Sequence, residues 1–115
     1  MYLECEKVAE KFVEFLQGKK AKDINVINIR GISVLADFFI ICSGTSTTHI
    51  KAIADELGQK ATEIGCVQIH LEGYNTAHWI LMDYGDIVVH VFHEEDRSFY
   101  NLERLWSDGI LVTYN

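Results

Sequence analysis

Residues 37–46 read Asp37-Phe38-Phe39-Ile40-Ile41-Cys42-Ser43-Gly44-Thr45-Ser46. A strand with one wet face alternates apolar and polar side chains, so an unbroken apolar run from Phe38 to Cys42 predicts a strand covered on both faces, central in a sheet. Gly44-Thr45-Ser46 ends it. Ile50, Ile53, Ala54, Leu57, Ala61 and Ile64 then recur at three-and-four spacing, which predicts an amphipathic helix with Thr45 or Ser46 as its N-cap and Gly65 as its end.

Working outward, Cys5, Val8, Ala9, Phe12, Phe15 and Leu16 mark one face of an earlier helix, closed by Gly18. Ile24 to Ile29 is a short β-branched strand. Beyond the second helix, Val67, Ile69 and Leu71 alternate with Gln68, His70 and Glu72, the pattern of a half-buried strand. Ala77 to Met82 and Ile87 to Phe92 are two more strands, joined through Asp83-Tyr84-Gly85-Asp86 as a tight hairpin. Phe99, Leu102, Leu105 and Trp106 predict a third helix. The order α-β-β-α-β-β-β-α, with the second strand, second helix and third strand as a βαβ unit, gives an α/β fold. One five-stranded mixed sheet is packed with helices.

With 115 residues, 49% of them apolar, the chain supports one core, so residues 1–115 are read as a single domain. No stretch has the roughly 18 to 20 consecutive apolar residues of a membrane span. Met1 to Glu10 carries three glutamates and no basic region before an apolar stretch, so it is not a secretory signal, and a cytoplasmic protein is expected. Cys5, Cys42 and Cys66 are odd in number and widely spaced, which suggests buried thiols and neither a disulfide framework nor a zinc site. The formal charge of −7 is the wrong sign for gripping free nucleic acid, because phosphate neutralisation dominates that affinity. It suits a basic protein partner.

The Gly44-Thr45-Ser46 turn before a helix could cradle an anion, but it lacks the lysine of a P-loop and the glycines of a dinucleotide fingerprint. A tight turn with an N-cap is the preferred reading. A nucleotidyltransferase needs carboxylates two apart on a strand to hold paired metals. That pattern is absent: Asp83 and Asp86 are three apart across the turn, and Asp37 precedes its strand. His90 and His93, three apart on one strand, point to opposite faces and could share an ion only if the strand ended between them; no metal and no cofactor are expected. Trp79, Leu81 and Asp83 share one strand face, with Tyr84 at the turn and His90 across from them. If no helix covers that face, it is an aromatic anchor flanked by carboxylates, the composition of an interface hot spot. The alternative is that Trp79 is ordinary core.

Three blocks resemble the Iojap family of ribosomal silencing factors: Asp37 to Ser46, Trp79-Ile80-Leu81-Met82-Asp83-Tyr84-Gly85-Asp86-Ile87-Val88-Val89-His90-Val91-Phe92, and Phe99-Tyr100-Asn101-Leu102-Glu103-Arg104-Leu105-Trp106. The resemblance covers nearly the whole chain and implies a nucleotidyltransferase-like fold without the catalytic carboxylates. It implies no reaction. What it does imply is binding of the large ribosomal subunit through large-subunit ribosomal protein fourteen, where occupancy blocks the small subunit and represses translation. By the same resemblance, the partner-contacting surface is expected on Trp79, Leu81, Asp83, Tyr84 and His90. Ile110 to Asn115 looks like an extension without a role. Two other readings stay open: a nucleotide-binding enzyme resting on the Gly44 turn, and an RNA-binding module stacking bases on Trp79 and Tyr84. A homodimer through an apolar sheet face is also open.

Overall fold

The computed structural model describes residues 5–30, 36–96 and 110–112. Its elements are α1 (Cys5–Gly18), β1 (Lys22–Asn28), β2 (Phe38–Gly44), α2 (Thr47–Glu63), β3 (His70–Glu72), β4 (Trp79–Asp83), β5 (Ile87–His93) and β6 (Ile110–Val112). The strands form one sheet in the order β3-β4-β5-β2-β1-β6. The β2–β5 pair is parallel and the other neighbours are antiparallel.

Every residue of β2 is buried, as its unbroken apolar run requires. Its two faces enter two different cores. Phe38, Ile40 and Cys42 join Phe12 and Leu16 of α1 and Ile50, Ile53 and Leu57 of α2. Phe39 and Ile41 point the other way, into a smaller cluster with Ile27, Ile29 and Phe92. Fully burying side chains of this size contributes roughly 1.5–3 kcal/mol each, so both helices are held on one face by their apolar stripes.

Close packing at the end of β2 explains Gly44. A Cβ there would lie 2.8 Å from Ile50 Cγ1, so a side chain would push α2 off the sheet. Ser46 is the N-cap of α2: its Oγ accepts the His49 N–H at 3.0 Å, and its carbonyl accepts the Ile50 N–H. The Thr45 N–H donates to His49 Nδ1 at 3.0 Å. Two of the N–H groups at this turn, those of Thr45 and His49, are therefore occupied from within the chain.

Four expectations change. β2 and β3 do not sit side by side: α2 carries the chain across to the far edge, and β5 and β4 lie between them. The strand read from Val67 to Glu72 is three residues long, His70–Glu72, and its apolar row Val67, Ile69 and Leu71 is exposed where half-burial was expected. The sheet has a sixth strand, since Ile110–Val112 pairs with β1 opposite Val26, Ile27 and Asn28, so the C-terminal segment has a structural role. Of the three free cysteines only Cys42 is buried. The helix expected at Phe99, Leu102, Leu105 and Trp106 lies outside the described residues. Among the described residues, no helix is long and apolar enough to cross a membrane.

Candidate docking face

β4 alternates strictly. Ile80 and Met82 are buried toward α1 and α2, whereas Trp79, Leu81 and Asp83 are half-buried on the opposite face. Register fixes their neighbours: Asp83 stands opposite His70 and Leu81 opposite Glu72 on β3, while Trp79 faces Phe92 and Leu81 faces His90 on β5. Exposure falls across this face from β3 to β5, with His70 and Glu72 exposed, the β4 row half-buried, and His90 and Phe92 buried. A Cβ on Gly73, which has φ +78°, would meet the Trp79 carbonyl oxygen, so only glycine lets the β3–β4 connection turn this tightly beneath Trp79.

Trp79 is held from below and from the side. Its ring stacks on Phe92 with centroids 5.1 Å apart, and its indole N–H donates to His90 Nδ1 at 3.1 Å. Tryptophan has a single donor, so this bond commits it internally. His90 is 4% exposed and packs edge-on against Phe39, with ring centroids 4.9 Å apart. Burial pushes its pKa down to about 4, which keeps the ring neutral. Because Nδ1 accepts, the proton sits on Nε2, and among the described residues that buried N–H has no partner. The expectation that His90 is a surface contact is thereby corrected: its ring lies beneath the face.

The hairpin separates the remaining pair. Asp83 Oδ1 accepts the Gly85 N–H at 2.8 Å, so this carboxylate both closes the turn and remains part of the face. Tyr84 goes the other way. Its ring packs edge-on against Phe12 of α1 at 5.0 Å, and burial raises its hydroxyl pKa to about 12. The structure brings together Trp79, Leu81 and Asp83, places His90 behind them, and puts Tyr84 on the helix side of the sheet.

His70 and Glu72 were missed by sequence reasoning. Their side chains touch, with His70 Nε2 2.9 Å from Glu72 Oε1. The available signal was their shared parity within β3, which became useful only once β3 was known to pair with β4. Among the described residues, no three His, Cys, Asp or Glu side chains are grouped to hold a metal ion. Asp37 pairs with Arg30 at 3.3 Å.

Residues 3–114 match the family described as "Ribosomal silencing factor during starvation". The chain belongs to that family. A ribosomal silencing factor of Halalkalibacterium halodurans is 47% identical over 107 residues, covering 93% of this chain and 92% of its own. Among solved structures, a Bacillus halodurans protein superposes with a TM-score of 0.85 at 43% identity, covering 95% of this chain and 99% of its own. A Chromobacterium violaceum protein gives 0.89 at 31% identity, covering 91% and 88%. The mixed-sheet α/β domain is thus shared with these solved structures, and the family's description ties it to silencing of the ribosome.

Proposed function

We propose that this silencing factor docks on the large ribosomal subunit through large-subunit ribosomal protein fourteen, and that occupying this site keeps the small subunit from joining. Translation is repressed by steric exclusion, in the cytoplasm and without catalysis. The observation that carries the reading is the row Trp79, Leu81 and Asp83, half-exposed on one sheet face with Glu72 and His70 beside it. A large ring held rigid by its neighbours and rimmed by polar groups is the composition of an interface hot spot. The −7 charge favours a basic ribosomal protein as partner through complementary fields.

Sedimentation tests this directly. The protein is expected to travel with isolated large subunits, not with small ones, and to shift joined particles toward free subunits at low magnesium. Equal binding to both subunits, or an unchanged joined fraction, would refute the reading.

A further inference from the structure

Across the described residues, the exposed large apolar side chains are Val67 at 76%, Ile69 at 66% and Leu71 at 41%. They alternate along the segment that ends in β3, and β3 is the outermost strand at its side of the sheet. Leu71 stands opposite Met82, a core residue under α2, so this row belongs to the helix side of the sheet, the reverse of the face that carries Trp79. Two clefts open beneath it. One of about 360 Å³ is lined by Val67 and Ile69 together with Val8, Tyr84 and Ile87. The other, about 230 Å³, is lined by Leu71 with Ala54, Tyr74 and Met82.

Edge strands are normally blunted by lysine, proline or an inward charge, because their free main-chain groups invite another strand. β3 is itself short, but the row 67-69-71 that runs into it carries no lysine, proline or charge. Such an edge suits an added strand, whose main chain bonds to the edge while alternate side chains enter pockets alongside. Among the described residues, the charged side chains lining the clefts are Asp86 and Asp55, with no lysine or arginine beside them. We propose that β3 accepts an extended strand of a basic protein partner, apolar at alternate positions and carrying lysine or arginine opposite Asp55 and Asp86. The inference rests on the docking reading above: His70 and Glu72 link this edge to the Trp79 face, so one ribosomal protein engages both.

The test uses the full chain, isolated large subunits and amide hydrogen exchange. Binding is expected to slow exchange at residues 67–72. Val67→Asp combined with Ile69→Asp alters exposed positions, so the fold is retained while affinity falls about tenfold or more. Val67→Lys with Ile69→Lys is expected to bind more weakly still, because it adds repulsion to the same loss of apolar surface. If the wild-type protein does not bind large subunits, the docking reading and this proposal fall together. If it binds while residues 67–72 stay unprotected and both double variants bind normally, only the edge proposal falls. A wild-type dimer that the aspartate pair dissociates would give the edge to a second copy and overturn the foreign strand.

Discussion

The indole N–H of Trp79 donates to Nδ1 of His90 across the β4–β5 pair at 3.1 Å, and this bond fixes which imidazole nitrogen carries the proton. Protonating Nδ1 would also break the bond, and the cost of burying the resulting charge is why the ring's pKa falls to about 4. The unfolded ring titrates near the ordinary value of 6.5, so between that pH and about 4 the unfolded chain binds a proton that the folded chain refuses. Stability from this group is complete above pH 6.5 and is lost as pH falls toward 4, by on the order of 3 kcal/mol. Denaturation of wild type and His90→Asn across this range checks it. A stability difference that does not change with pH would contradict the buried neutral ring.

Trp79 offers a partner its ring and not its N–H. Trp79→Phe keeps the stack on Phe92 but leaves His90 Nδ1 without its donor, so it is expected to cost about 1 kcal/mol of stability and little affinity for large subunits. Trp79→Ala removes the ring and is expected to weaken docking by about 2 kcal/mol or more. Affinities measured on folded samples separate the two. If the phenylalanine variant loses as much affinity as the alanine variant, the indole N–H is what the partner reads.

Legibility in the sequence followed the range of the interactions. The central strand, both described helices and the β4 alternation were readable because each depends on local apolar spacing. The crossover of α2 past two strands was not, since pairing β2 with β5 depends on contacts remote in sequence. Val67, Ile69 and Leu71 alternate as a half-buried strand does, but alternation cannot tell whether a helix covers the face. Tyr84 sits at a turn, where strand parity no longer says which face a side chain takes. His90 has the right parity for the docking face, and only the packing of Phe39, Phe92 and Trp79 around it shows that it is buried. Three residues of β6 are too few to carry a periodic signal.

The turn after β2 is expected to be structural. Ser46→Ala removes the oxygen that accepts the His49 N–H and should cost roughly 0.5–2 kcal/mol. Gly44→Ala inserts a Cβ against Ile50, and overpacking of this kind costs typically about 1–3 kcal/mol. Both variants are expected to bind large subunits normally at temperatures where they remain folded. A stable Ser46→Ala protein without subunit binding would instead make this turn a ligand site.

Tyr84 and Asp83 are adjacent, yet their substitution should separate folding from docking. Tyr84→Ala empties a half-buried site against Phe12, so the expected loss is in folding stability, about 2 kcal/mol, below the range for a fully buried aromatic. Its affinity for large subunits should be near normal once unfolded protein is excluded. Asp83→Lys is a poor test of the interface, because it also removes the acceptor for the Gly85 N–H. Asp83→Asn is better: an amide oxygen still closes the turn while the charge is gone. If Asp83 faces a basic partner, Asp83→Asn should retain its denaturation midpoint, bind more weakly and show a shallower dependence of affinity on salt. Titrating wild type and variant against large subunits at several salt concentrations gives both quantities. Parallel salt dependences with equal affinity would remove Asp83 from the interface and leave it only its role in the turn.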